Sequence, residues 1–411
     1  MAGSPGTVGP VTVADLSDLD LDPARPGFFL RPDYYQVLAR LRSESPLHPL
    51  APGVRLVSRY HDIREVSLDP DRFCSSRGVL VNDPIREGRP IEGSILHMDP
   101  PDHSALRRVL NREFALRAVA RVEEPVRALA RELIDAVPVG EPFDYVELLS
   151  APLPVLVIAE LLGVSDADRR DFRRWSDATI EAADGAQSMS DSVMADVGEM
   201  VDFLQQRAAE RRRAPGDDVI SLLVTAEVLG RRLSDAEVLM LCMSLVVAGN
   251  ETTRHLLSGA AVALAEHPDQ RAALAGEPAG IPGAVEECLR WVTPIQVFGR
   301  TATRPTEVAG WPVDEGDFLV MLYASGNRDE GVFGAGAQQF DVARPTTPPH
   351  LGFGFGVHLC LGAALARLEA RVFLQELLAR HPTWDLAGEA TWVASSLVRG
   401  QATLPLVLDP P

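Results

Sequence analysis

The chain contains 411 residues, of which 46% are hydrophobic and 24% are charged. This composition is typical of a folded protein with a sizeable core, and it excludes intrinsic disorder over most of the chain. The formal net charge is −19, and every one of the 39 basic residues is arginine. Nucleic acid is therefore excluded as the main partner, because binding to phosphates requires clustered positive charge.

Cysteine usage and hydropathy exclude further classes. The four cysteines are scattered and form no C-x-x-C pair, so we expect neither a disulfide framework nor a structural zinc site. The N-terminus lacks the basic start and apolar run of a secretory signal. No stretch reaches the ~18–20 apolar residues that span a bilayer. We expect a cytoplasmic monomer that does not bind membranes.

The predicted elements are mostly helices. Residues 1–25 are rich in Pro and Gly and then acidic, which predicts a loosely ordered arm, and residues 26–411 predict a single domain. The apolar patterns predict helices at 100–110 and 119–137 and short strands at 55–58 and 318–322. A final run of small strands is predicted at 392–408. Together they predict a mainly α fold with small β-sheets.

One predicted helix is exceptionally long. Ser234 and Glu237 form a capping box, and the apolar pattern ends only at His267-Pro268, about 32 residues later. A helix of this length and hydrophobicity is expected to run through the centre of the molecule. Its middle carries residues 249–253, Gly-Asn-Glu-Thr-Thr, which are poor helix formers. They indicate either a functional site or a harmless kink with a hydroxyl bonded to the preceding turn.

The strongest motif is residues 353–362, Phe-Gly-Phe-Gly-Val-His-Leu-Cys-Leu-Gly. Cys360 precedes a predicted helix from Ala363 to Arg380, and a helix N-terminus favours a thiolate. The glycines, including Gly362, would let a flat macrocycle approach the backbone. A dinucleotide-binding loop is excluded by the glycine spacing. A cysteine hydrolase with His358 as base lacks an oriented third partner.

A second motif is Glu287-x-x-Arg290 with apolar flanks. Residues at i and i+3 share a helix face, so the acid and the base can pair in the interior. A buried pair needs further partners that offset its desolvation, and Arg344 is the candidate third member.

The three motifs, in this order, resemble the cytochrome P-450 superfamily of haem-thiolate monooxygenases, in particular its soluble bacterial class. The resemblance covers residues 31–408 and implies haem b (iron protoporphyrin IX), O2 as co-substrate and electrons from NAD(P)H. Cys360 would be the axial iron ligand. Glu251 would relay protons and Thr252 would hydrogen-bond dioxygen. The resemblance also implies haem contacts through His103, Arg107, Ala248, Arg300, His358 and Gly362, and a structural role for Glu287, Arg290 and Arg344.

The resemblance also implies where substrate binds. The predicted wall consists of Val79, Leu80, Ser244, Val247, Ala248, Ile295, Val297, Leu397 and Val398, with Arg77, Ser244 and Gln296 as polar anchors. Because most of these are apolar, we expect a lipophilic substrate, a terpenoid, steroid or polyketide, that is most simply hydroxylated. A non-catalytic haem-thiolate sensor is the alternative, although it would not need Glu251 and Thr252.

The resemblance implies a separate electron donor, a ferredoxin or flavodoxin with its reductase. Such donors are acidic, as is this chain, so attraction requires a local basic patch. We expect that patch at Arg107, Arg108, Arg112 and Arg117. The alternative is that these arginines form only a solvated helix face.

Overall fold

The computed structural model describes residues 15–16, 19–89, 91, 93–183 and 190–410. Helices dominate these ranges, and short 3-10 turns connect several of them. The helices are α1 (Tyr34–Glu44), α2 (Tyr60–Leu68), α3 (Asp102–Phe114), α4 (Leu116–Val119), α5 (Glu123–Ala136), α6 (Pro152–Leu161), α7 (Arg169–Ala183), α8 (Asp191–Arg213), α9 (Val219–Thr225), α10 (Asp235–Glu266), α11 (Pro268–Gly276), α12 (Ile281–Val292), α13 (Tyr323–Gly326), α14 (Glu330–Phe333) and α15 (Ala363–Arg380).

The strands are short and form five small sheets within the described ranges. They are β1 (Leu47–Ala51), β2 (Val54–Val57), β3 (Phe73–Cys74), β4 (Phe143–Asp144), β5 (Glu227–Val228), β6 (Arg231–Arg232), β7 (Val297–Ala302), β8 (Thr306–Val308), β9 (Trp311–Val313), β10 (Phe318–Leu322), β11 (Trp384–Leu386), β12 (Thr391–Trp392), β13 (Gln401–Thr403) and β14 (Pro405–Leu408). The largest sheet has the order β1-β2-β10-β7-β3, in which β10 runs parallel to β2 and antiparallel to β7. The remaining sheets have two or three strands. Helices that dominate over small sheets confirm the predicted fold class, mainly α with small β-sheets.

Helix α10 has 32 residues and begins with the predicted capping box: the Ser234 hydroxyl accepts from the Glu237 amide, and the Glu237 carboxylate accepts from the Ser234 amide. It packs against α6, α7, α8, α12 and α15. Most of its length is therefore enclosed by other helices, which explains why it is apolar on most sides. The Gly249–Thr253 segment does not interrupt the helix, because its backbone remains helical throughout.

The core consists of one large helical cluster and two smaller clusters that lie on the faces of the five-stranded sheet. Most of the predicted arm lies outside the described residues. Of its described part, Leu16 and Leu21 are buried against Phe28 and Phe29 in one of the sheet clusters. Among the described residues, no helix is long and apolar enough to cross a bilayer.

Candidate active site

Cys360 lies in the turn that leads into α15. Its amide donates to the Phe353 carbonyl at 2.9 Å, which closes the loop between them. The side chain is exposed, although burial by the surrounding loop raises the pKa of the Cys360 thiol. The Gly362 amide and the guanidinium groups of Arg107 and Arg367 oppose that rise. A sulfur that is both exposed and desolvated lies in a cleft, with donors placed to stabilise the thiolate.

Two glycines of the Cys360 loop are required by the conformation and the packing of the loop itself. Gly354 and Gly356 adopt φ values of +66° and +72°, which side chains rarely tolerate. A Cβ on Gly356 would lie 2.1 Å from the Ser67 carbonyl oxygen, so this glycine lets the loop approach α2. Among the described glycines of this loop, Gly362 alone has open space around its Cβ position.

Four basic side chains converge beside this loop. Arg107 on α3 donates to the Leu359 carbonyl, and the rings of His103 and His358 stack with centroids 4.1 Å apart. Arg300 on β7 is buried. Burial, together with Arg300 and His103, lowers the pKa of His358 to about 3.

These four basic groups have no carboxylate partner at ion-pair distance within the described part of the chain. Both ring nitrogens of His103 are buried without a hydrogen bond. Burial and the neighbouring Arg107 lower the pKa of His103 as well. The cluster is therefore electrostatically incomplete, and an anionic ligand would stabilise it.

The middle of α10 presents different groups to opposite sides. Ala248 is exposed and Thr252 is partly exposed, although both lie in the centre of a buried helix. The Thr252 hydroxyl donates to the Ala248 carbonyl at 2.8 Å. This is the hydrogen bond to the preceding turn that the sequence offered as one alternative. Glu251 is buried, and its Oε1 lies 3.7 Å from Nε2 of His255. The Ala248–Thr252 side therefore retains exposed surface, whereas Glu251 and His255 are buried.

The Glu287 motif forms a closed ion network. Arg290 donates two hydrogen bonds of 2.7 Å to the Glu287 carboxylate, and Arg344, the predicted third member, donates a third at 3.0 Å. Arg290 also donates to the carbonyls of Asn327 and Ala337. The network therefore joins α12 to the 327–344 segment that precedes the Cys360 loop.

The predicted wall residues separate into two groups. Six of them retain exposed surface: Leu80, Ser244, Val247, Ala248, Ile295 and Leu397. Three are fully buried: Val79, Val297 and Val398. Main-chain contacts nevertheless bring their segments together, because Val79 accepts from Gly299 at 2.7 Å and Ile295 pairs with Val398.

The prediction that Gln296 is a polar anchor for substrate is wrong, because its side chain is fully buried and hydrogen-bonded within the protein. It accepts from the Tyr34 hydroxyl at 2.7 Å and donates to the Thr293 carbonyl. Arg77 is exposed and faces Glu315, whereas Ser244 donates to the Met240 carbonyl. Of the three predicted anchors, Ser244 is the one on the exposed stretch of α10.

Sequence reasoning missed polar residues whose partners lie nearby in space. His255 contacts Glu251 one helical turn away, a spacing that could have revealed it. His350 and Arg367 both bind Glu286, and the Arg367 guanidinium lies 4.6 Å from the Phe353 ring centre. No sequence spacing connects those three residues.

Comparison with known proteins identifies the family. The Cytochrome P-450 family model matches residues 281–386. The chain is 34% identical to a steroid C26-monooxygenase of Mycobacterium tuberculosis (95% of this chain, 98% of that protein) and 39% identical to the erythromycin C-12 hydroxylase of Saccharopolyspora erythraea (90% and 93%). The solved open cytochrome P-450 Eryk from S. erythraea is 35% identical, with a TM-score of 0.83 (93% and 98%).

The chain therefore belongs to the cytochrome P-450 family, as the three motifs predicted. It is a monooxygenase that works with haem, dioxygen and an external reductant, and it acts on a small molecule with the help of a redox partner.

The residues at the site fit haem. A cluster of two arginines and two histidines without a carboxylate counterion, in which both ring nitrogens of His103 lack a hydrogen bond, suits the two carboxylates of the porphyrin, and a thiolate suits its iron. The exposed Ala248 is a small residue, which leaves room for a flat ring beside α10.

Proposed function

We propose that this enzyme hydroxylates a lipophilic terpenoid, steroid or polyketide. The observation that carries the proposal is an exposed cysteine at the start of α15 beside four basic groups that no described carboxylate neutralises, one of which, His103, also has no hydrogen bond. Cys360 would hold the iron of haem b, while His103, Arg107, Arg300 and His358 would bind its carboxylates. The bound haem supplies the activation of dioxygen.

The substrate class is supported by the chemistry of the exposed wall residues. Five of these six are apolar: Leu80, Val247, Ala248, Ile295 and Leu397. An apolar wall with one hydroxyl, that of Ser244, suits a large lipophilic molecule with few polar groups. The relatives named as a steroid C26-monooxygenase and an erythromycin C-12 hydroxylase point to the same range of substrates.

Glu251 would relay protons, and Thr252 would accept a hydrogen bond from the group that carries the proton to dioxygen. Because the Thr252 hydroxyl hydrogen is committed to the Ala248 carbonyl, its oxygen is left as an acceptor toward the cleft. Glu251 is buried beside His255, so a proton that reaches Glu251 from solvent must pass through the protein interior or through bound water.

The electron donor would be a ferredoxin, with electrons ultimately from NAD(P)H. Arg108, Arg112 and Arg117 are exposed, and none of them forms an ion pair with another described residue. Leu116 is 78% exposed and Leu359, next to Cys360, is 46% exposed. We call Arg108, Arg112, Leu116, Arg117 and Leu359 the basic face, which suits an acidic partner with an apolar centre.

A turnover assay tests the proposal. Purified holoprotein is supplied with a surrogate ferredoxin, its reductase, NADPH and isotopically labelled dioxygen, together with a panel of terpenoids, steroids and macrolides. We expect at least one product that carries a single labelled oxygen atom. If no compound of the panel is oxidised while haem is bound, the proposed substrate class is overturned and the non-catalytic sensor is favoured.

A further inference from the structure

The segment between β3 and α3 contains a buried chain of polar groups that the reaction does not use. Nε2 of His97 lies 2.8 Å from the Asp83 carboxylate, and its Nδ1 lies 2.9 Å from the Ser94 hydroxyl. The side chains of His97 and Asp83 are only 6% and 0% exposed. Ser94, His97 and Asp83 are hydrogen-bonded in the succession Ser–His–Asp of a hydrolase triad, but the two ring nitrogens of His97 are used in the opposite sense and Ser94 is buried.

Asp83 organises the main chain around it. Its carboxylate accepts from the amides of Val79, Leu80 and Ile85 at 2.8, 3.1 and 3.0 Å. Burial acts to raise the pKa of Asp83, but these amides and His97 hold it below its ordinary value. A buried carboxylate with four donors is satisfied, and losing one donor would leave it undercompensated.

This arrangement fixes the part of the segment that borders the proposed substrate pocket. The Val79 carbonyl accepts from Gly299 of β7, so Asp83 and β7 hold opposite sides of the same peptide segment. Gly93 packs against Met240 on α10, because a Cβ there would lie 3.5 Å from the Met240 side chain. The Asp83–His97 pair therefore joins the Val79–Leu80 wall to a stretch that contacts α10.

We propose that His97 is a positioning residue for substrate recognition: through Asp83 it holds the main chain of Val79 and Leu80, and so sets the shape of the pocket. This proposal rests on the proposed function, because it assumes that Leu80 borders the substrate. His97 does not touch the substrate, so its loss changes affinity and selectivity rather than haem ligation.

The test compares His97→Phe, which removes the donor to Asp83, with His97→Gln, whose amide can still donate. His61→Gln, at an exposed histidine on α2, is the matched control. In the holoprotein, hydrogen exchange of peptides that cover residues 79–85 is measured by mass spectrometry. We expect His97→Phe to accelerate exchange there by roughly tenfold, His97→Gln by less, and the control to leave it unchanged.

Binding is measured in the same variants from the haem spectral shift with two probes, testosterone and erythromycin. We expect His97→Phe to change the ratio of their affinities by roughly threefold or more while the unfolding midpoint shifts little, and His97→Gln to restore most of the ratio. Unchanged exchange at residues 79–85, or an unchanged ratio alongside accelerated exchange, would overturn the proposal. If neither probe binds the wild type while exchange responds as expected, the proposed substrate class is contradicted. The role of His97 in holding residues 79–85 is then still supported by the exchange result.

Discussion

Two buried glutamates on α15 experience opposite surroundings. Glu376 contacts Arg127, Arg131 and Arg380, and although burial acts to raise its pKa, these arginines lower it to about 2. Glu369 has an Oε2 atom without a hydrogen bond, and burial raises its pKa to about 8. The pKa of the first carboxyl therefore lies well below the ordinary glutamate range, and the pKa of the second lies well above it.

The substitution Glu369→Gln tests this contrast. A carboxyl with a raised folded-state pKa costs the protein stability progressively as pH rises from its unfolded value of 4.5 toward 8. We expect Glu369→Gln to gain stability relative to wild type by up to about 1.4 kcal/mol per pH unit across that window. Urea unfolding of the holoproteins between pH 5 and pH 8 measures the difference, and a difference that stays constant over this range contradicts the assignment.

Glu376→Gln is the matched variant, and its effect on stability should change with pH in the opposite direction. The lowered pKa of Glu376 contributes stability that is complete above pH 4.5 and is lost as pH falls toward 2. We therefore expect this substitution to destabilise the protein at neutral pH and to have a smaller effect in acid. The same unfolding series, extended below pH 4.5, checks the expectation, which fails if the loss is as large in acid as at pH 7.

Thr252→Ala tests the proposed route of proton delivery. Because the Thr252 oxygen is the partly exposed hydroxyl beside Ala248, its removal should divert electrons from product to hydrogen peroxide. We expect product formed per NADPH to fall by roughly tenfold, with a matching rise in peroxide. Thr253→Ala, at the buried neighbouring hydroxyl, should keep most of the coupling, and equal effects at both positions would contradict the assignment.

Among the elements, α12 depends most strongly on one side chain. Glu287 binds both Arg290 and Arg344, and Arg290 is fully buried. Glu287→Gln removes the counterion, so we expect a loss of about 3–5 kcal/mol in the free energy of unfolding. Glu124→Gln, at a surface glutamate 3.9 Å from Arg127, should cost less than about 1 kcal/mol. Denaturant unfolding compares them, and similar small losses would contradict a structural role for Glu287.

Sequence periodicity predicts the long elements and fails for contacts between distant segments. Helix α10 follows from its capping box and its apolar run, and α15 covers the predicted Ala363–Arg380 range. Gln296 could not be assigned correctly, because its partner Tyr34 is 262 positions away and only the folded chain brings them together. The burial of Val297 was missed for the same reason, since it is decided by the packing of β7 in the sheet core.

For the molecule as a whole, attraction of an acidic electron donor depends more on how charge is distributed over the surface than on the net charge. The net charge is −19, yet the basic face carries Arg108, Arg112 and Arg117 without described ion-pair partners. An acidic donor would be repelled by most of the surface and attracted to this face, which would orient it toward Cys360.

Reversing one charge of the basic face tests this orientation. We expect Arg112→Glu to slow reduction by a ferredoxin by roughly threefold to tenfold at low salt, with the difference shrinking as salt screens the charges. Arg213→Glu, at an exposed arginine that ends α8, makes the same change in net charge and should have a smaller effect. Stopped-flow reduction at two ionic strengths measures both, and equal slowing by the two variants contradicts a local docking face.

The most direct measurement is the absorption spectrum of the reduced carbonyl adduct of the purified protein and of its Cys360→His variant. We predict that the wild type binds haem and gives the Soret band typical of thiolate ligation, whereas the variant gives the band typical of imidazole ligation. A wild-type protein without bound porphyrin, or one whose band already matches imidazole ligation, would contradict the assignment of Cys360 as the iron ligand.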